Sequence, residues 1–285
     1  MKEIIFAGLA KNCLDTLKSN LKFIENFKAD FPDIKLSVYV MESDSIDGTK
    51  EFINKLNIDW VYQFSEDNLD SKFDYRTEKI AYCRNFLLEK LNKQISSEAI
   101  YIPVDFDIEI FQFLDTMSFF KILEKFFHSD DIDALFPFGY PYYYDIHALR
   151  ANSWNTKSPW EYIRKINKFI PVGKFITRYF IIYKKQKKHR NTNKLIEVLS
   201  AFGGIGLYKV IDNYWDATYG INKKLGNNSC EHIQFNTFFK NKFIDSSWII
   251  PSPPEHIQFK ILNTNKKIKF VIKDLVSDVK NLIKN

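Results

Sequence analysis

Cysteine is scarce in this 285-residue chain: only Cys13, Cys83 and Cys230 occur, far apart and in no CxxC or zinc-ligand pattern. That spacing argues against a disulfide framework, favours a reducing compartment and leaves the thiols as small packing residues. No apolar stretch reaches the length of a membrane span. The opening Met1-Lys2-Glu3 leads into a short apolar run ending at Gly8, too short and too acidic for a signal peptide. A cytoplasmic protein, or one peripheral at the inner face of a membrane, is therefore expected. No internal repeat and no domain-separating linker interrupts the chain, and 45% hydrophobic residues suffice to fill one core.

A broad basic face is also missing. The formal charge of +6 hides an asymmetry: residues 1–150 hold 17 Lys and Arg against 26 Asp and Glu, net −9, and residues 151–285 hold 24 against 9, net +15. Halves of opposite sign argue against uniform coating of a polyanion, so no nucleic-acid partner is expected. The basic excess concentrates between Arg164 and Arg190, where Lys184-Lys185-Gln186-Lys187-Lys188 follows the apolar-aromatic run Phe175 to Tyr183. Two readings stand side by side: a patch that meets an anionic membrane surface, or a solvated loop after a core strand.

What is present is alternation of short apolar runs with helical patterns. Strands are expected at Glu3–Ala7, Leu36–Met41, Trp60–Phe64 and Ala99–Val104. Between them, helices are expected after Asn12, through Phe52 to Leu56, and over Thr77–Leu91. Such βα units imply a mostly parallel, doubly wound sheet with right-handed crossovers. Farther on, the pattern predicts helices over Phe111–Phe127, Trp160–Phe169 and Glu231–Lys240. It also predicts strands at Ala134–Phe138 and Ser247–Pro251, a Gly-rich turn and strand over Ser200–Tyr208, and a basic amphipathic tail from Phe259.

The apolar run Ala99 to Val104 stops at Asp105-Phe106-Asp107. Alternate residues of a strand face the same way, so the two carboxylates can converge on one cation, and hard oxygen ligands select Mg²⁺ or Mn²⁺. Glu42-Ser43-Asp44-Ser45-Ile46-Asp47-Gly48-Thr49 follows the second strand. Glu42 and Asp44 suit contact with a nucleotide, whereas Ser45, Asp47 and Thr49 suit capping of the next helix. Arg76 and Arg84 offer guanidinium forks for a pyrophosphate or, on the plainer reading, surface salt bridges. Tyr142-Tyr143-Tyr144-Asp145-Ile146-His147-Ala148-Leu149-Arg150 combines stacking rings with polar groups suited to a sugar, an arrangement that an aromatic-rich core would also produce. Phe202-Gly203-Gly204-Ile205-Gly206 allows a close backbone approach but lacks the strand-GxGxxG-helix context. Glu231-His232 opens a predicted helix, where the carboxylate can serve as a general base and the imidazole as a ligand, or the acid can simply favour a helix N-terminus. His128, His189 and His256 lie in surface-like contexts.

Taken in order, Ala7-Gly8-Leu9-Ala10-Lys11-Asn12, Glu42 to Thr49, Arg76 to Asn85, Asp105-Phe106-Asp107, Tyr143 to Arg150, Phe202-Gly203-Gly204 and Cys230-Glu231-His232 resemble the GT-A class of nucleotide-sugar-dependent glycosyltransferases. The likeness spans roughly residues 3 to 255 and is greatest to bacterial family-2-like enzymes of surface polysaccharide assembly and to capsule-associated mannosyltransferases. It implies an α/β GT-A, Rossmann-like fold: a mostly parallel central sheet with helices on both faces and a small acceptor-side extension. Residues 1–110 would form the nucleotide-sugar-binding half, 111–258 the acceptor-binding half and 259–285 the basic tail. Ala7, Gly8, Glu42 and Asp44 would line the nucleotide pocket, with Arg76 and Arg84 near the phosphates. Asp107 would be the stronger metal ligand, with Asp105 holding ribose or reaching the ion through water. Tyr144, His147 and Arg150 would bind the acceptor.

Family-2 enzymes commonly carry Glu-Asp where this chain has Glu231-His232. Glu231 is the candidate base with Asp145 behind it, and His232 becomes a metal ligand if configuration is retained. The expected activity is metal-dependent transfer of a hexose from a UDP- or GDP-sugar to a hydroxyl of a glycan or glycolipid. The alternatives are a sugar-phosphate nucleotidylyltransferase, whose Gly-rich, Arg-containing loop is missing after the first strand, and a noncatalytic glycan- or membrane-binding module.

Overall fold

Four parallel strands set the frame of the computed structural model, which describes residues 1, 3–91, 98–159, 161, 177–190, 192–210, 216–220 and 229–283. β1 (Glu3–Ala10) lies between β2 (Lys35–Glu42) and β4 (Ala99–Asp105), parallel to both, and β3 (Val61–Ser65) extends the sheet beyond β2. The sheet continues through β5 (Ala134–Tyr140), β6 (Leu195–Glu197), β7 (Leu207–Lys209) and β8 (Lys242–Pro251) in the order β3-β2-β1-β4-β7-β5-β8-β6. Only β7 and β6 run against the rest. The expected α/β fold with a mostly parallel sheet is therefore present.

Buried parallel strands are apolar on both faces, which is why their sequences read as continuous hydrophobic runs. Ile4 and Phe6 of β1 enter one core with Leu17, Leu21, Ile24 and Phe27 of α1 (Leu14–Asp30) and Phe119, Leu123 and Phe126 of α5 (Thr116–Phe127). Ile5 and Ala7 enter the opposite core with Ala81, Cys83 and Leu87 of α4 (Arg76–Lys90) and Phe235 of α6 (His232–Asn236). Helices thus cover both faces. Two short helices, α2 (Thr49–Lys55) and α3 (Leu69–Lys72), follow β2 and β3.

The differences from expectation have local causes. α5 begins at Thr116 instead of Phe111 because the Asp115 carboxylate accepts from the Ser118 amide at 2.6 Å, capping the helix there. Phe111 nonetheless packs, its ring stacked on Phe23 at 4.1 Å. The helix expected over Glu231–Lys240 spans five residues, and β8 begins at Lys242, earlier than Ser247. α3 and β6 are too short to carry a period. Thr177–Tyr183 is a π-helical turn, not part of a core strand. The helix expected over Trp160–Phe169 lies, except for Glu161, outside the described residues. The tail forms α7 (Pro254–Ile261) and α8 (Thr264–Ile283).

One loop pair fixes the end of β1. The amides of Asn12, Cys13 and Leu14 at the start of α1 donate to Ser45 Oγ at 3.1 Å, Thr49 Oγ1 at 3.0 Å and Asp47 Oδ2 at 3.1 Å. The expectation that these three side chains cap the helix following them holds only for Asp47, whose Oδ1 accepts from the Thr49 amide at 3.0 Å. Otherwise they cap α1, because the parallel register of β1 and β2 brings their carboxyl-end loops together. Gly48, at φ +93°, turns the chain between them.

Candidate active site

The strand ends of β1, β2 and β4 open into a cleft of about 490 Å³, within the range of small-ligand sites and at the sheet edge where open α/β folds bind ligands. Leu9 to Lys11, Met41, Ser43, Asp105 and Asp107 come from the strand ends; Arg76, Lys79, Cys83 and Arg84 come from α4. Tyr144, Asp145, His147, Phe202, Gly204 and Cys230 to His232 close the other side, with Glu255 and His256 from α7.

Arg84 is the centre of the arrangement. Its guanidinium is 2% exposed and donates through Nη2 to Asp105 Oδ1 at 2.5 Å and through Nε to Glu231 Oε1 at 3.3 Å, while Phe202 and Tyr219 present their rings 5.0 and 5.6 Å away. Two carboxylates from opposite halves of the chain are thereby held on one cation. Burial pushes the Asp105 carboxyl up to about 7 against the pull of Arg84, with Asp107 and Glu231 adding to the rise. Asp107 is exposed at the rim.

His232 stacks on Phe202 with ring centroids 3.6 Å apart, and its Nε2 lies 3.4 Å from Glu231 Oε1. Burial, with Arg84 beside it, holds the imidazole well below its ordinary pKa, so it is neutral, and neither ring nitrogen has a hydrogen-bond partner among the described residues. Asp145 Oδ2 accepts from the Gly203 amide at 3.0 Å and Oδ1 from the Ala148 amide at 3.1 Å. The next glycine carbonyl, Gly204 O, accepts from the Asp105 amide at 2.7 Å. Gly204 sits at φ +96°, and a Cβ there would come within 3.2 Å of Tyr144 Oη, so the Gly-rich turn serves close packing between the two aspartates.

The cleft thus gathers Arg76, Arg84, Asp105, Asp107, Tyr144, Asp145, His147, Glu231 and His232 from the sequence-predicted set. Others face elsewhere. Glu42 is fully buried, its oxygens accepting from the Ser45 amide at 2.8 Å and the Ser65 hydroxyl at 2.6 Å. Asp44 accepts from the amides of Asn68 and Asp70 at the start of α3, at 2.6 and 2.8 Å. Arg150 donates to the carbonyls of His147 and Leu149, holding its own turn. Ala7 and Gly8 are buried beneath the cleft.

Residues not anticipated include Lys11 and Lys79, which converge on the Asp70 carboxylate, the latter at 2.5 Å. His256 belongs here too, stacked on Tyr144 at 5.4 Å instead of lying on an indifferent surface. A lysine directly after a buried strand was a usable signal for Lys11; His256, far away in sequence, gave none. Burial raises the Cys83 thiol to about 11 and Cys230 well above its usual range, so neither is a thiolate at neutral pH.

A divalent cation was expected at Asp105 and Asp107. Among the described residues no group of three or more His, Cys, Asp or Glu side chains is placed to hold a metal ion. Both carboxylates line the cleft, Asp107 exposed at its rim, and Mg²⁺- or Mn²⁺-type ions commonly take one or two carboxylates and complete their shell with phosphate and water.

No protein-family model matches the chain, and no curated protein matches it in sequence. Among solved structures, TarS 1–349 of S. aureus is similar over 99% of this chain and 66% of its own, at 13% identity and a TM-score of 0.44. The mannosyltransferase PcManGT of Pyrobaculum calidifontis, in complex with GDP-Man and Mn²⁺, is similar over 87% and 56%, at 13% identity and 0.45. Glucosyl-3-phosphoglycerate synthase of Mycobacterium tuberculosis, in complex with Mn²⁺, UDP and phosphoglyceric acid, is similar over 49% and 44%, at 15% identity and 0.33. This chain therefore spans less than two thirds of the length of each. Among the described residues no helix is long and apolar enough to cross a membrane.

Proposed function

We propose that this chain is a GT-A-type glycosyltransferase, moving a hexose from a UDP- or GDP-sugar to a hydroxyl of a glycan or glycolipid acceptor in surface polysaccharide or glycoconjugate synthesis. The observation that carries this reading is the buried Arg84 that ties Asp105, at the end of β4, to Glu231, at the start of α6, in the wall of one cleft. Residues 1–110 supply the donor side and 111–258 the acceptor side.

In this reading Arg84 and Arg76 meet the donor pyrophosphate, with Lys11 and the buried Lys79, which also line the cleft, beside them. Glu42 and Asp44 act on the nucleotide through the loop they hold, and Ala7 and Gly8 through the backbone they align. Glu231 is the general base. It takes the acceptor hydroxyl proton as the new C–O bond forms at the anomeric carbon and the old C–O bond breaks, its electron pair leaving with the nucleoside diphosphate. Asp145 orients the Gly-rich turn behind the sugar and stands second as base, whereas Tyr144, His147 and His256 line the acceptor side. Arg150 keeps that segment in shape. A Mg²⁺ or Mn²⁺ ion held by Asp107 and Asp105 would stabilise the charge that develops on the departing diphosphate. If configuration is retained, the neutral His232 is a further ligand.

The test is hydrolysis or transfer from a panel of UDP- and GDP-hexoses, with and without Mn²⁺, by the wild type and Glu231→Gln. Transfer should fall at least about a hundredfold in the variant, since positioned general bases contribute about 10²–10⁴. Equal rates would remove Glu231 from the mechanism, and absence of turnover with every donor would remove the transferase reading.

A further inference from the structure

The last helix carries an apolar stripe facing solvent. Ile268, Ile272, Val276 and Val279 of α8 are 55%, 56%, 46% and 40% exposed. At about 100° per residue they fall within about 80° of arc, with Val271 and Leu275 extending the stripe on its inner side. Lys269, Lys273 and Lys266 come next round the helix. Residues 259–285 hold seven lysines against two aspartates.

Neighbouring elements also expose apolar side chains. Ile261, at the end of α7, is 53% exposed, and Phe180 of the π-helical turn 65%. Phe259 joins those two elements: Tyr183 stacks on it at 5.0 Å and Tyr179 meets it edge-on at 4.9 Å. Lys184 to Lys188 follow directly. The aromatic-cationic segment and the basic tail, far apart in sequence, therefore belong to one side of the molecule.

We propose that α8 and this adjoining patch dock on an anionic lipid bilayer. Charge decides the occupant. A second copy of the same helix would set lysine against lysine, whereas an anionic headgroup layer uses both features: the apolar side chains insert and the lysines meet phosphates. A helix of 20 residues, about 30 Å long, lies along the interface and does not span it. α7 links this surface to the cleft, since Glu255 and His256 at its start line the cleft and Ile261 at its end lies in the patch, about 8–9 Å away by helical rise. Where the transferase reading holds, the acceptor side of the cleft sits beside the bilayer, which suits an acceptor carried on a lipid. Lipid binding itself does not depend on that reading.

Flotation of the full chain with phosphatidylcholine vesicles, with and without phosphatidylglycerol, tests the proposal. The wild type should float with the phosphatidylglycerol vesicles only, and Lys266→Gln, Lys269→Gln and Lys273→Gln should each weaken binding by about fivefold, the equivalent of ~1 kcal/mol per cation at the surface. Ile272→Asp/Val276→Asp, at solvent-facing positions that leave the fold untouched, should abolish flotation. Failure of the wild type to float, or undiminished flotation of the double variant, overturns the assignment. So does a dimer in sedimentation that Ile272→Asp/Val276→Asp dissociates in a protein that binds no vesicle. Donor hydrolysis by the same variants in solution separates the two readings: activity without flotation sinks the membrane surface alone, and flotation without activity sinks the transferase alone.

Discussion

Two parallel strands of the sheet end in the same pattern, an acid, one residue and another acid: Glu42-Ser43-Asp44 after β2 and Asp105-Phe106-Asp107 after β4. Their carboxylates meet different partners. Those of Glu42 and Asp44 accept mainly from backbone amides and a serine hydroxyl, with the Lys79 ammonium 4.0 Å from Asp44. Asp105 is held by a guanidinium, and Asp107 is left exposed at the cleft. A carboxylate held by short bonds from neutral backbone and hydroxyl donors is a structural clasp; one held by a short bond from a guanidinium in the cleft wall is part of a charge system. The difference lies in what α4 and the neighbouring loops deliver to each strand end, not in the acids themselves.

The largest break in that contrast is Arg84→Met, which strands Asp105 and the buried Glu231 without their cation. Removing one partner from a buried ionic group costs about 3–5 kcal/mol, so the urea midpoint should drop sharply and donor hydrolysis should vanish with it. Asp107→Ala should lower Mn²⁺-dependent donor hydrolysis by about a hundredfold, comparable to removing one electrostatic stabiliser of a transition state, while leaving the midpoint in place. Glu42→Gln should do the reverse, costing about 1–2 kcal/mol of stability for a lost charged acceptor, with the rate per folded molecule unchanged. A fall in rate without a fall in stability would put Glu42 in contact with the ligand.

The smallest effect belongs to Asp70, whose amide donates to Asp44 and whose carboxyl Lys11 and Lys79 hold at about 2. Because its folded pKa lies below the ordinary carboxylate value near 4, its contribution is complete above that value and is lost as pH falls through 2. For an exposed pair it is under about 1 kcal/mol. Urea midpoints of wild type and Asp70→Asn should differ slightly at neutral pH and converge near pH 2.

The strand–helix alternation of the first hundred residues was legible because buried parallel strands and amphipathic helices each impose a period on the sequence. Element ends were less so: α5 starts where Asp115 finds an amide, and β8 begins five residues early because its pairing with β5 and β6 continues past the apolar run. In the cleft, Asp105, Asp107 and Glu231 were legible as charged groups at element ends, and Arg84 as a guanidinium within a helix. Their partnership was not, since it joins residues 147 positions apart. Glu42, Asp44 and Arg150 show the converse. Their residue types suit a ligand, yet backbone groups took them first: Arg150 turns onto the carbonyls of its own turn, Glu42 onto the loop that follows it, and Asp44 onto the start of α3. His256 came into the site only because α7 follows β8 back across the cleft.

Gly8 gives the acidic pair of β4 a dependence on β1. A Cβ at Gly8 would stand 2.3 Å from the ring of Phe106, which is itself fully buried. That ring is the middle residue between Asp105 and Asp107, and its amide donates to the carbonyl of Leu9 at 3.2 Å. The absent methyl is therefore a socket, and the aromatic plug seated in it anchors the residue between the two aspartates to β1. A charged pair on one strand is moored through a hydrogen atom on the next.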